Sequence, residues 1–493
     1  MKIKAPYKAL AIAFGLLTSV GVFAQGPVGN APVANPDTIV TNVAKGKIVI
    51  STLTNNDTDA DGDVLHILNV GTPEFGKAEL KTVNGIKVVE YTPNNKFKGT
   101  DSFSYRINDL ANGLGNSASS IVTIKNPFVL GRGDYGSLIS GPGGSQDVSG
   151  YISVKVSPTG QFSCYFRFAG KAYRFKSAFE IAQNGRFMGE IARGNLPRVT
   201  LELNYAIDGD VRQITGAAVV AAERIAFTAP LVPWSKSSPP PSLGIYTVLL
   251  PAPNTVATTP QGHGFATMSI GRSGIASCIG RTGDGRGFSS STFVGVSGTP
   301  APVYGIVNTI GSIFGTLNIT GVAPRVANAP ITISGNLRWF AAKRPTGRQF
   351  PKGFDLTVAA RGAAYTRPFV GTAANPSTVP SVLRIGKTAD HNSNFTASAG
   401  DLSSARTERS TVRNIPTAGT YEFAFDNSRR FAAKLVVSAK SGTFSGSFYD
   451  VSKKQRRSFK GIFLQSENKA FGVWKSETKT GRIELTPDPV AAN

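Results

Sequence analysis

A short signature, glycine–any residue–tyrosine, returns three times along the chain, at Gly133-Asp134-Tyr135, Gly244-Ile245-Tyr246 and Gly419-Thr420-Tyr421. Each opening leads through a strand-like run into a tight turn that ends in glycine: Pro158-Thr159-Gly160, Arg272-Ser273-Gly274 and Lys440-Ser441-Gly442. A serine follows three residues on, at Ser163, Ser277 and Ser445. The opening and turn glycines are 27, 30 and 23 residues apart, so the copies are degenerate but ordered. Self-similarity of this kind constrains the fold before any other pattern does, and copies built of short strands are expected to pack their apolar faces on one another. With 54 glycines and 30 prolines, and no long Leu/Glu/Lys/Ala-rich helical stretch, the chain is expected to be all-β.

The first residues have the form of an export leader. Lys2, Lys4 and Lys8 precede an apolar run from Ala9 to Phe23, and Val22-Phe23-Ala24 supplies a cleavage site ahead of Gln25. Residues 1–24 are therefore expected to be a signal peptide, and the protein to be secreted, periplasmic or on the surface of a Gram-negative bacterium. No later stretch has the ~18 apolar residues that a spanning helix needs. Charge is unevenly placed. Residues 25–126 hold nine Lys and Arg against ten Asp and Glu, whereas residues 127–493 hold 41 against 20, a net +21. A near-neutral head on a basic body implies different partners for the two parts. Basic surface that only aids solubility and loose attraction to an anionic envelope is the plainer alternative.

After a Gly/Pro/Ala/Asn linker (residues 25–35), residues 36–126 read as one compact β domain. Phe103, Tyr105 and Ile107 alternate with Ser102, Ser104 and Arg106, and Lys87–Tyr91 enters from an Asn84-Gly85 hairpin turn. About seven strands in roughly ninety residues is the pattern of an immunoglobulin-like sandwich. Ala31-Pro32-Val33-Ala34, Asn55-Asn56-Asp57-Thr58-Asp59-Ala60-Asp61-Gly62-Asp63, Tyr91-Thr92-Pro93-Asn94 and Gly99-Thr100-Asp101-Ser102-Phe103-Ser104-Tyr105 occur in this order. In these residues the domain resembles bacterial cadherin-like or Ig-like tandem-repeat domains. That resemblance implies an extracellular spacer or adhesion module, often bound to calcium at domain junctions. The chain departs from the family at Thr41-Asn42-Val43-Ala44-Lys45, where an acidic residue is common. With a single copy, a junction site would have to be completed by the next, different domain.

Read on its own, the acidic loop brings Asp57, Asp59, Asp61 and Asp63 within seven residues around Gly62. Hard oxygen ligands of this kind suit calcium, with Asp37 or Asp101 as further donors. Position twelve counted from Asp57 is Leu68, which excludes an EF-hand. An ion-free Asp/Gly surface turn is the alternative.

The basic remainder divides into a β repeat at 133–234, a proline-rich linker at 235–242, a second repeat with extra hairpins at 243–368, an irregular connection at 369–418 and a shorter third repeat at 419–486. Ala217–Ala226 is expected to be a buried strand, since Gly216 and Pro230 flank it. The three degenerate antiparallel repeats are expected to pack as sandwiches or a partly closed barrel. They are similar to glycine-punctuated repeats of exported Gram-negative proteins, a resemblance that brings no activity. Short irregular strands and frequent charge argue against a membrane-spanning barrel. Cys164 and Cys278 fall at equivalent places in the first two repeats; a disulfide is conceivable in an exported chain, and two buried thiols are the stronger expectation.

No constellation favours catalysis. His66, His263 and His391 lack partners at metal-ligand spacing, and His263 reads as a solvent-facing residue of Gly262-His263-Gly264. Glu180, Glu190, Glu202 and Glu223 fall at solvent-facing positions. Arg132-Gly133-Asp134 is explained by the repeat opening rather than by integrin adhesion. Basic clusters occur at Lys343, Arg344, Arg348 and Lys352, and at Lys453, Lys454, Arg456 and Arg457 in a hairpin tip between Phe448 and Phe459. They are the candidate polyanion contacts, with Trp339-Phe340 and Trp474 as candidate sugar platforms or, more ordinarily, buried anchors. The chain is thus expected to be a non-enzymatic adhesion or envelope scaffold that meets a cell-envelope or matrix component, with an acidic polysaccharide as one candidate. Carbohydrate or polyanion binding through the basic hairpins is the second reading.

Overall fold

The computed structural model describes residues 29–110, 115–208, 212–221, 223–253, 258–307, 311–321, 331–366, 393–402, 404–415, 420–425, 433–438 and 440–487. The leader, His391, Gly419 and much of the 369–418 connection lie outside the described residues. The chain divides into two compact units, residues 1–125 and 126–493.

The first unit is the seven-stranded sandwich expected. Its strands are β1 (Asp37–Val40), β2 (Ile48–Ile50), β3 (His66–Val70), β4 (Gly76–Val83), β5 (Ile86–Pro93), β6 (Thr100–Asn108) and β7 (Ser117–Lys125). One sheet runs β1-β7-β6-β3 and the other β2-β5-β4, with β1 parallel to β7. The period-two pattern of β6 sends Phe103, Tyr105 and Ile107 into the core and leaves Ser102, Ser104 and Arg106 outside. Tyr91 stacks on Phe103 at 6.1 Å and donates its hydroxyl to Asp101 at 2.7 Å, which satisfies a buried polar group. Asn84 and Gly85, at φ 50° and 81°, form the β4–β5 turn. Both values are those a two-residue hairpin requires.

The second unit opens on a one-turn helix, Pro127–Leu130, capped by the Asn126 side chain. Three eight-stranded modules follow. The first comprises β8 (Gly133–Ser140), β9 (Ser149–Val156), β10 (Gln161–Phe168), β11 (Lys171–Ala178), β12 (Arg186–Arg193), β13 (Leu196–Tyr205), β14 (Gln213–Val220) and β15 (Glu223–Pro230). Its two four-stranded sheets share one aromatic-rich core, and a Tyr135–Leu231 bridge joins them at one side. The segment expected as a single buried strand at 217–226 is instead the β14–β15 hairpin, turned at Ala221 with φ 53°.

The second module comprises β16 (Gly244–Leu250), β17 (Gly264–Ile270), β18 (Ile275–Arg281), β19 (Gly287–Phe293), β20 (Pro300–Val307), β21 (Gly311–Thr320), β22 (Thr332–Ala341) and β23 (Phe354–Ala364). They form one sheet of order β19-β18-β17-β16-β23-β22-β21-β20. Its ends meet through side chains, Thr292 donating to Pro302 O and Tyr304 N–H to the Ser290 hydroxyl, so the barrel is nearly closed. The third module comprises β24 (Ser393–Ala399), β25 (Arg406–Ile415), β26 (Thr420–Phe425), β27 (Lys434–Ser438), β28 (Thr443–Asp450), β29 (Gln455–Leu464), β30 (Lys469–Lys475) and β31 (Thr480–Pro487). It is a closed barrel, sealed where β24 pairs with β31.

The glycine signature marks a real structural unit. Gly160, Gly274 and Gly442 all adopt positive φ at a hairpin turn. Their carbonyls accept from Phe179, Val294 and Phe463 N–H at 2.9, 2.9 and 2.8 Å. In the first two modules the opening tyrosine lies on the first strand, and Tyr135 and Tyr246 each donate to a carbonyl four residues back. In the third, Tyr421 lies on the third strand, β26. The hairpin β24–β25 therefore precedes the copy instead of following it, and the module begins inside the region read from sequence as an irregular connection. The physical reason is closure: a barrel has no obligatory first strand, so a hairpin can join at either end of the unit.

The modules dock through small clusters of buried side chains. Tyr151, Tyr304 and Phe314 form the cluster between the first two. Arg167, 4 % exposed, donates there to Tyr304 O and Ser291 O and lies over three tyrosine rings. Leu249, Leu464 and Phe471, and separately Phe265, Ile462 and Val473, join the second and third. Each such side chain contributes about 1.5–3 kcal/mol relative to exposure.

Candidate functional site

The acidic loop does not act as one cluster of four. Asp59, Asp61 and Asp63 place ligand oxygens within 4.8 Å of one another. Asp59 Oδ1 accepts from Asp61 and Asp63 N–H at 2.8 and 3.3 Å, which curls the loop around it. Asp61 is held by the backbone and side chain of Asn30. Asp57 turns away: its Oδ1 accepts from Asn35 N–H at 2.7 Å and from the Tyr105 hydroxyl at 2.8 Å. Asp37 sits beside it, its carboxyl pushed up by burial, the Tyr105 hydrogen bond working the other way and the Asp57 charge adding to the rise. Asp101 is committed to Tyr91, Phe75 N–H and Ser102 N–H. Of the sequence candidates, Asp59, Asp61 and Asp63 can share a cation; Asp57 and Asp101 hold neighbouring groups of the fold, and Asp37 and Asp57 each keep one buried oxygen without a hydrogen-bond partner.

The two basic clusters also separate on inspection. Lys343, Arg344, Arg348 and Lys352 are exposed on the β22–β23 loop, and Arg348 faces Glu477 at 3.8 Å. Lys453 and Lys454 occupy the β28–β29 tip as expected, with Arg456 exposed beside them. Arg457 is 5 % exposed and belongs to the interior. Its guanidinium donates to Asp450 Oδ2 at 3.1 and 3.2 Å and to Asp401 Oδ2 at 3.3 Å, and lies 5.8 Å from the Trp474 ring. Adjacent residues on a strand point to opposite faces, so one of a consecutive Arg pair must turn inward. Trp339 and Trp474 are buried anchors, which removes them as sugar platforms.

His263 is likewise buried, contrary to its solvent-facing expectation. Its Nδ1 accepts from Ala252 N–H at 3.1 Å, so Nε2 carries the proton and donates to Glu484 at 2.9 Å. It pins the second module to the third, and the Glu484 carboxyl is held below its ordinary range by this bond first, against the opposing effect of burial. Cys164 and Cys278 are free and buried in separate cores, so the bridge entertained from sequence does not form. Burial pushes each thiol up to about 12. Asp134 faces Lys155 within strand β8, which leaves Arg132-Gly133-Asp134 as a strand entry. Glu190 and Glu202 pair with Arg198 and Arg224.

Sequence reasoning missed a cleft on the seam between the second and third modules. One lobe, about 910 Å³, runs between the outer faces of β17–β19 and β27–β29. A second, about 430 Å³, is lined by Arg281, Arg456, Lys460, Lys475 and the β18–β19 turn. Arg281 and Lys460 line both lobes. Arg456 and Lys460 belong to the basic run that begins at Lys453, but Arg281 and Lys475 stand far from it in sequence, and only topology brings the four together.

The first unit is an Ig-like sandwich by its strand order. A family model for the bacterial Ig domain matches residues 29–125, so this part of the chain is a bacterial Ig domain. No curated protein sequence matches the chain. Among solved structures, intact Ap-TbpB (N and C lobes) aligns at 10 % identity over 98 % of this chain and 99 % of its own, with a TM-score of 0.15. The isotype 1 transferrin binding protein B from serogroup B Neisseria meningitidis aligns at 9 % identity over 91 % and 90 %, with a TM-score of 0.17. The eight N-terminal Ig domains of Down syndrome cell adhesion molecule align at 10 % over 94 % and 69 %, with a TM-score of 0.12. Scores of this size are too low to establish a common fold. Among the described residues, no helix is long and apolar enough to cross a membrane.

Proposed function

We propose that the protein is an exported, non-catalytic surface or envelope protein of a Gram-negative bacterium. In this reading the Ig domain is a spacer or adhesion module, and the basic three-module unit attaches to an acidic envelope or matrix component. The observation that carries it is the way the modules are filled. Their interiors are packed with large side chains, Phe166 and Phe168 in the first, Trp339 in the second, Phe448 and Trp474 in the third, so the work falls to the surface. That surface belongs to a segment with a net charge of +21 over residues 127–493. Diffuse attraction alone would be screened by physiological salt, whose Debye length is about 8 Å. The test is retention of the full chain on isolated cell envelopes with stepwise salt elution. Retention beyond about 0.3 M salt supports the reading; elution at low salt, or turnover of any envelope glycan, overturns it.

Calcium binding at Asp59, Asp61 and Asp63 is part of the same proposal. Three carboxylates fit a hard cation that takes six to eight oxygens, with water and backbone carbonyls completing the set. Bound ion would draw the loop's like charges together and stiffen the domain. A calcium-dependent rise in the melting temperature of the Ig domain is expected, and no rise up to about 10 times a millimolar dissociation constant removes the site.

A further inference from the structure

We infer that the cleft between the second and third modules binds an acidic saccharide chain, with Arg281, Lys460 and Lys475 receiving its anionic groups. This rests on the attachment reading above and assigns it a place and a ligand chemistry.

The charge is arranged rather than scattered. Arg281 ends β18, Lys460 lies on β29 and Lys475 ends β30, so two modules contribute. Arg281 spends one guanidinium N–H on Gly285 O at 2.7 Å. Lys475 runs across Gly285, where a Cβ would stand 2.1 Å from its Cε; the glycine gives the lysine its path. Burial pushes the Lys475 ammonium down; Asp284 opposes this, while Arg281 and Arg286 add to the fall. Buried Asp284 accepts from the Thr282 hydroxyl and Arg286 N–H through Oδ1, and its Oδ2 forms its ion pair with the Arg286 guanidinium at 3.1 Å. Glu477, the sole acid among the lining residues of the basic lobe, faces Arg348. Among the described residues, Arg281, Lys460 and Lys475 are left without a carboxylate partner within ion-pair distance.

The rest of the cleft specifies what carries the anion. Its larger lobe presents the hydroxyls of Thr267, Ser289, Ser438, Thr443 and Ser445 beside Ile279, 69 % exposed, and Val436, 40 % exposed. Hydroxyls that both donate and accept, beside small aliphatic patches, match a sugar's hydroxyl rim and its C–H face. Nucleic acid is disfavoured because Phe265, Phe288, Phe444 and Phe459 on the walls are all buried, leaving no aromatic face for base stacking. An extended peptide is disfavoured because the walls are strand faces. β18 is paired on both sides by β17 and β19, and β28 by β27 and β29, while the free side of β19 is met by β20 through the Thr292 and Ser290 hydroxyls, so a further strand finds that edge already covered.

The test is calorimetric titration of the full chain with oligogalacturonate at about 0.15 M salt, in wild type and in Lys460→Gln, Arg281→Gln and Lys343→Gln. Lys460 and Lys343 are both exposed, so losing either charge leaves the fold intact and matches the change in net charge. Lys460→Gln and Arg281→Gln should each weaken binding about tenfold, the size of one charge-assisted contact, with Lys343→Gln within about twofold of wild type. Equal weakening by all three variants, or by none, overturns the cleft while leaving the attachment reading standing. No heat from wild type with either oligogalacturonate or a heparin-derived oligosaccharide overturns the ligand class. Tighter binding of polyglutamate than of both saccharides, lost in Lys460→Gln, overturns the saccharide in favour of an acidic peptide. Envelope retention measured in parallel distinguishes failure of the cleft from failure of the attachment reading.

Discussion

Replacing Arg457 by leucine tests how the third module is held, because the side chain sits at the centre of a buried network. The guanidinium reaches Asp450, 2 % exposed at its side chain, and Asp401. Asp450 in turn accepts from Ser452 N–H, the Ser452 hydroxyl and Lys453 N–H, and so fixes the tip that carries Lys453 and Lys454. Removing one partner of a buried pair leaves an uncompensated charge and costs about 3–5 kcal/mol. At an unfolding entropy of about 2 cal/mol/K per residue, a cost near 4 kcal/mol lowers the melting temperature by about 5 °C if all of the second unit unfolds together, and by about 20 °C if the third module melts alone. The two apolar seams favour the smaller figure. Scanning calorimetry of the full chain reads it. The Arg457→Leu, Asp450→Asn double variant should recover part of the loss, since its carboxylate is gone too. The effect also has a sign in pH. Burial raises the Asp450 carboxyl, and the bonds from Ser452 and Arg457, the Lys453 N–H and the Arg457 charge together outweigh it and hold the group below its ordinary range. Its contribution is therefore full above the unfolded value of about 3.9 and lost as pH falls through the lower folded value. The gap between wild type and Arg457→Leu should narrow below about pH 4. A variant melting within about 1 °C of wild type at neutral pH refutes the network.

Asp61→Asn should abolish the calcium-dependent rise in melting temperature, while Asp57→Asn should lower stability without calcium and leave the rise in place; equal loss in both would return Asp57 to the ion. His263→Gln should cost about 1.5–3 kcal/mol at the seam, and should flatten the acid dependence that Glu484 contributes. That contribution is present above about 4.3 and lost as pH falls through its lower folded value; an unchanged acid profile contradicts it. Cys164 and Cys278 should resist iodoacetamide at pH 8 in the native chain and both react in denaturant, as mass spectrometry will record; labelling of the native protein would show a core that opens.

What could be read from sequence was local. The alternation at Phe103, Tyr105 and Ile107 and the Asn84-Gly85 turn sufficed for the sandwich, because strand period and turn geometry are set by neighbours along the chain. The glycine signature found the hairpin unit, since a positive φ at Gly160, Gly274 and Gly442 has to be encoded at that residue. What failed was set by distant partners. Arg457 read as a surface charge because Asp401 lies 56 residues away. His263 read as solvent-facing because Glu484 is 221 residues on. The third module's start was misplaced because closure depends on which strand meets which, and Gly-x-Tyr does not say where in the ring it stands. The Arg281, Lys460 and Lys475 cleft has the same origin, cations from distant parts of the sequence gathered by docking.

Amide hydrogen exchange on the full chain, with and without saturating oligogalacturonate, examines the attachment surface most directly. Slowed exchange should appear in peptides covering 275–293, 436–450 and 457–460, on the facing walls of the second and third modules. Protection confined to the 343–352 loop and the 453–456 tip, with those walls unchanged, would show that loose hairpin charge holds the ligand and that the cleft does not.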